Sequence, residues 1–148
     1  MIKLELTMNK CFVVFLFSTI SFLSNGQNAA QKMKEALSSG DYRVSMITLI
    51  AAPEKYHDKG VHVIGYLNLE FEGNAIFLDE LDFENSNTKN AIWLSFSRKA
   101  DMKEIMKLNG KYVMIQGVFN KDYKGHMSLF AGSIDEIIQV DEVKKRTR

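Results

Sequence analysis

The chain has 148 residues, 19 of them lysine or arginine and 18 aspartate or glutamate, with a single cysteine. The near-balance of charge lacks the basic excess on which nucleic-acid binders depend, because phosphate neutralisation dominates their affinity. One cysteine excludes an intrachain disulfide and a thiolate metal cluster, and the length suits a single hydrophobic core.

The first 26 residues read as a cleavable export signal. Lys3 and Lys10 supply a positive start, and residues 11–23 (CFVVFLFSTISFL) run apolar. That run is too short to cross a bilayer, which takes roughly 20 helical residues, and it has the length of a signal's apolar region. Ser24 and Gly26 form the small-x-small pattern that a signal peptidase accepts, so Gln27 becomes the first mature residue. Met8 is an alternative start, since it removes Glu5 from the signal. Cys11 opens the apolar run instead of coming after it, the wrong place for lipid attachment after cleavage. A short buried helix and an uncleaved anchor are the competing readings. With the signal removed, 17 basic and 17 acidic residues remain. Lys144, Lys145, Arg146 and Arg148 crowd into the C-terminus, which leaves the body before them acidic. The expected mature protein is periplasmic or secreted, monomeric, free of cysteine and without a membrane span.

Residues 27–39 show helical spacing in Ala29, Met33, Ala36 and Leu37, with Gly40 to close the helix. Residues 44–52 fit two patterns. Ser45 can cap a helix that carries Met46, Leu49 and Ile50 on one face and stops near Pro53. The same β-branched stretch suits a strand, but the helix is the favoured reading. Residues 27–58 are thus expected as N-terminal helical segments packed on the rest of the domain.

From Val61 the period changes to two. Val61, Val63, Leu67, Leu69 and Phe71 share one face of a strand, and His62, Ile64, Tyr66, Asn68 and Glu70 share the other. Gly65 lies inside it, where a glycine often marks a bend. Glu72-Gly73-Asn74 is a turn signal before a second strand at residues 75–78. Residues 79–90, acidic and then rich in Asn and Ser, read as a loop. The third strand spans residues 91–96, with Ile92, Leu94 and Phe96 on one side and Trp93 on the other. Residues 101–108 have helical spacing, ended by Asn109-Gly110. Residues 111–119 form the fourth strand, with Gly117 midway. A polar turn at residues 120–125 leads to a fifth strand at 126–138, bent at Gly132. Residues 141–148 read as a loose charged tail.

Three strands, a helix and two strands are the element order of the oligonucleotide/oligosaccharide-binding (OB) fold. The predicted fold is mainly β with helices. A five-stranded OB-like Greek-key barrel occupies residues 59–140, with a helix between strands three and four. An open α+β sheet with helices on one face is the runner-up. The stretches APEKYHDKGVHVIGYL, FEGNAIFL, KNAIWL and LNGKYVMIQGVF with GHMSLFAGSI resemble small exported bacterial OB-fold-like proteins, over residues 52–138. That family carries no assigned activity, so the resemblance implies a fold and not a function.

No nucleophile elbow, H-E-x-x-H or phosphate-binding glycine loop occurs. His57, His62 and His126 read as surface or rim histidines. Glu70, Glu72, Asp79, Glu80, Asp82 and Glu84 offer oxygens of the kind calcium takes, but without a calcium loop's spacing, so a solvated acidic rim is the simpler reading. No metal, cofactor or catalytic residue is expected. The aromatic set is more informative. If the Val61 face is core, the opposite face carries Tyr66, Trp93 and Tyr112, with Phe130 beside them. OB folds bind ligands on such a face, often by stacking. Burial beneath the N-terminal helices is the favoured alternative, since an exposed stripe of this size is unusual. The candidate ligand-binding residues are Tyr66, Glu70, Lys89, Asn90, Trp93, Tyr112 and His126. The expected function is an exported, non-enzymatic binding module for a small molecule, an oligosaccharide or a protein, with nucleic acid disfavoured. The alternatives are a hydrolase using carboxylates of the acidic rim, which would leave no local motif, and an envelope-stress protein with a protein partner.

Overall fold

The computed structural model describes residues 43–144. The export signal, the expected helix over residues 27–39 and the end of the basic tail lie outside the described residues.

The ambiguous segment at 44–52 is helical. Helix α1 spans Met46–Ala51, and the Ser45 hydroxyl accepts a hydrogen bond from the Thr48 N–H at 3.1 Å. That cap satisfies one of the amide donors a helix start leaves unpaired, and it overrides the β-branched content. Met46 and Leu49, one turn apart, are both buried. Val44 ties the entry of the helix to the first strand through its N–H on the His62 carbonyl, at 3.1 Å.

The barrel has five strands: β1 Gly60–Asn68, β2 Ala75–Phe77, β3 Ala91–Leu94, β4 Tyr112–Asn120 and β5 Ser133–Glu142. They pair in the order β1-β2-β3-β5-β4, and β4 pairs back to β1, so the sheet closes. Every pairing is antiparallel except β3 with β5. Two short helices sit in the connections: α2, Glu80–Glu84, between β2 and β3, and α3, Met102–Met106, between β3 and β4. This is the predicted OB-like barrel with its helix between strands three and four.

Register explains the core. Val63 stands opposite Ile115, Leu67 opposite Ile76, Ile76 opposite Ile92, and Leu94 opposite Ile134. All of these side chains are buried together with Val61, Val113 and Phe119, and Met46 and Leu49 of α1 join the same cluster. Each contributes about 1.5–3 kcal/mol relative to exposure. The two midway glycines are points of close approach. A Cβ on Gly65 would lie 2.7 Å from Cγ1 of Ile76, and one on Gly117 would lie 2.5 Å from Cγ2 of Ile134. Gly117 also sits where the β4–β5 register shifts, between Gln116 and Val118. Such a bulge bends a strand and helps a small barrel to close.

Several expectations are corrected. The first strand ends at Asn68. Leu69 is still buried in the main core, and its N–H donates to Oδ1 of Asn109 at 2.8 Å, but Phe71, placed on the core face by its parity, is 94% exposed in the turn beyond. The expected acidic loop at 79–90 contains helix α2, capped by Asp79, whose carboxylate accepts from the Asp82 N–H at 2.8 Å. A 3-10 turn at Thr88–Asn90 comes after it. The third strand stops at Leu94 rather than Phe96. The fifth begins at Ser133 rather than His126, because His126–Ser128 form a 3-10 turn in which Met127 and Ser128 adopt positive φ. The charged tail begins later than Asp141. β5 runs to Glu142, where the Lys111 ammonium lies 3.0 Å from its carboxylate, and the Val143 N–H donates to the Tyr112 carbonyl at 2.8 Å.

Candidate interaction site where two loops meet beside the aromatic face

Strand alternation places a second set of side chains on the outside of the barrel. Tyr112, Tyr66, Phe77 and Ala91 form one row across β4, β1, β2 and β3. Asn68, Ala75, Trp93 and Ser133 form the next, across β1, β2, β3 and β5. Tyr66, Trp93 and Tyr112 therefore share one face, as their parity implies. Phe77 is buried in the same cluster, and Phe83 packs against it.

The first row is roofed by α2. Phe83 packs on Tyr66 and on Phe77, each at 5.5 Å between ring centroids, and Tyr112 meets Tyr66 edge-on at 5.7 Å. Two hydroxyls hold the roof in place. The Glu80 N–H donates to the Tyr112 hydroxyl at 3.3 Å, and the Tyr66 hydroxyl donates to the Glu80 carboxylate. Burial, and then the Glu80 charge and hydrogen bond, push the Tyr66 phenol above its ordinary range. Further along the connection, Asn87 and Asn90 both donate to the Asp82 carboxylate, at 2.7 Å and 3.0 Å.

The second row is roofed by the β4–β5 connection. Phe130 packs edge-on against Trp93 at 5.3 Å. The backbone of Gly125 lies against the indole so closely that a Cβ there would fall 2.6 Å from Cδ2. This connection is anchored at its start. The His57 Nδ1 accepts from the Lys121 N–H at 3.4 Å, and its Nε2 faces the Asp122 carboxylate at 3.5 Å. A Lys121 hydrogen bond at 2.7 Å holds the Asp122 carboxyl below its usual range, against the smaller opposing effect of burial. Glu54 also faces Lys121, at 3.5 Å.

The aromatic face is thus covered by the connections between strands. Helix α1, the described part of the N-terminal helical segments, packs into the interior core instead. Of the sequence-selected residues, Tyr66 and Tyr112 join α2, Asn90 braces Asp82, and Trp93 is half-buried under Gly125 and Phe130. Lys89 is exposed. Glu70 and His126 belong to a different place, where the β1–β2 turn meets the β4–β5 connection. Nε2 of His126 lies 3.9 Å from Oε2 of Glu72. Each partner of this contact has an exposed apolar residue next to it in sequence, Phe71 at 94% exposure and Met127 at 77%. Glu72, Met127 and Ser128 all adopt left-handed backbone, with φ of 59°, 52° and 57°. Strain of this kind costs of order 1–3 kcal/mol per residue and collects at functional sites. Sequence periodicity assigned Phe71 to the core and Met127 to a strand. The only local clue to their place was the Glu72-Gly73-Asn74 turn signal.

Comparison with protein-family profiles, with curated proteins and with solved structures gives no match. Among the described residues, no group of three or more His, Cys, Asp or Glu side chains is arranged to hold a metal ion. No helix among them is long and apolar enough to cross a membrane.

Proposed function

We propose that the chain is an exported, non-enzymatic interaction module that binds a partner through the joined β1–β2 turn and β4–β5 connection. The observation that carries this reading is the pair Phe71 and Met127. Phe71 is almost fully exposed and Met127 is 77% exposed, on or beside strained backbone, next to the Glu72–His126 contact between their two loops. Large apolar side chains that are exposed in the free protein and buried on binding are efficient anchors. The outer aromatic face supports the platform rather than forming it, since Phe83, Gly125 and Phe130 already occupy it. The nearby titratable groups serve the architecture. Asp79 caps α2, Asp82 holds two asparagines, Glu80 holds Tyr66, and Asp122 anchors the β4–β5 connection. The export part of the proposal rests on the pattern in residues 1–26. OB barrels also commonly bind through the loops at the ends of their strands.

Photocrosslinking tests the reading. Replacing Phe71 with p-benzoylphenylalanine in the cell envelope is expected to yield a discrete adduct that weakens when Met127→Ser is added. An adduct pattern no different from that of the same probe at exposed Lys99 would refute it.

A further inference from the structure

The charges around Phe71 narrow the partner class, on the reading that these two loops are the binding site. Glu70 and Glu72 flank Phe71 directly, and both are exposed. The turn from residue 70 to 74 contains no basic residue. Glu72 faces His126 at 3.9 Å, with more than half of its side chain in solvent. Glu70 contributes its carbonyl to the turn, accepting from the Gly73 N–H at 3.1 Å, and its carboxylate lies beside Gly73, with Oε2 3.6 Å from where a Cβ there would stand. The neighbouring connection carries two lysines: Lys121 is committed to Asp122 and Glu54, and Lys124, exposed, acts on the same Asp122 carboxylate. The apolar anchor therefore stands between two carboxylates.

We infer that the partner is a cationic protein segment. It lays an apolar side chain against Phe71 and Met127 and sets lysines or arginines against Glu70 and Glu72. Opposite charges at the rim of an apolar contact steer association and select the partner. The same carboxylates argue against an anionic membrane. Exposed apolar tips hold a bilayer firmly only with a basic patch beside them, and here the tip is acidic. Phosphate backbones are repelled for the same reason.

Selection of random dodecapeptides displayed on phage, against the mature chain at physiological salt, tests this. The expected binders combine an aromatic or aliphatic residue with lysine or arginine. They lose about tenfold or more in affinity to Phe71→Ser. They also bind more weakly, and with a flatter salt dependence, to the double variant Glu70→Gln, Glu72→Gln. All three positions are exposed, and matching circular dichroism spectra and melting temperatures confirm that the variants fold. Binders that need Phe71 but show no basic enrichment and ignore the glutamine variant would overturn the cationic partner while leaving the site intact. Binders indifferent to Phe71 would overturn both. Binding to mixed phosphatidylcholine and phosphatidylglycerol vesicles that is lost in Phe71→Ser would replace the protein partner with a membrane.

Discussion

Gly125 lies flat on Trp93. A Cβ at this position would come within 2.6 Å of both Cδ2 and Cε3 of the indole, and the residue's φ is +66°. Any other residue would meet the ring and adopt a backbone that L side chains disfavour. Gly125→Ala is expected to destabilise the protein by about 1–3 kcal/mol. It should also lift the β4–β5 connection, so that iodide quenches Trp93 fluorescence more efficiently than in the wild type. Unchanged quenching would show that the connection does not cover the indole.

Helix α1 contributes to the barrel interior through one face only. Leu49 is fully buried in the main core, whereas Ile47 on the same helix is 64% exposed. Leu49→Ala is expected to cost about 2–5 kcal/mol in denaturant unfolding, while Ile47→Ala stays within about 0.5 kcal/mol of wild type. Equal effects would mean that α1 does not sit in the core.

The roof over Tyr66 depends on a cap. The Asp79 carboxylate accepts from the Asp82 N–H at 2.8 Å, and α2 buries no residue completely. Asp79→Ala should cost about 1 kcal/mol. The loss should be local, seen as faster amide exchange across residues 80–84 with the barrel strands unaffected. Uniform acceleration across the strands would contradict a separable roof.

Tyr66 makes the fold sensitive to alkali. Burial first, and then the Glu80 carboxylate, raise its phenol above the ordinary range. As pH rises, the unfolded chain releases this proton before the folded one does. The contribution is therefore complete below the ordinary phenol pKa and is lost as pH climbs through the raised one. Melting temperatures should fall more steeply across that interval in the wild type than in Tyr66→Phe. Parallel curves for the two proteins would exclude Tyr66 as the source.

Export predicts a defined mature end. Ser24 and Gly26 close the apolar run, so mass spectrometry of the chain recovered from the envelope or medium should find Gln27 first. Recovery of a chain that retains Lys3 in the membrane fraction would remove the export proposal.

Much of the barrel was legible because strands announce themselves locally. Val61 and Val63, Ile92 and Leu94, and Val113 and Ile115 each alternate with their neighbours, and each pair is buried. The close approaches at Gly65 and Gly117 fall at glycines visible inside such runs. Phe71 broke the rule because Asn109 ends the ladder by taking the Leu69 N–H, a contact from a distant turn that parity along one strand does not register. Helix α2 was legible in principle, since Asp79 precedes Asp82 at capping distance, but Asn- and Ser-rich composition favoured a loop.

The candidate site was less legible, and the reason is physical. Periodicity records which residues face the same way along a single element. On its own it determined the main strands, the inner face and the outward direction of Tyr66, Trp93 and Tyr112, while closure of the sheet is a property of the assembled pairing. What covers that outer face depends on contacts between residues far apart in the chain, such as Phe83 on Tyr66 and Gly125 on Trp93. Connections have no period, so their path is settled only when the assembled barrel offers them a surface. That assembly also brought Glu72 to His126 and left Phe71 and Met127 in solvent. The strands were written into local alternation, and the placement of the two loops was decided by tertiary packing.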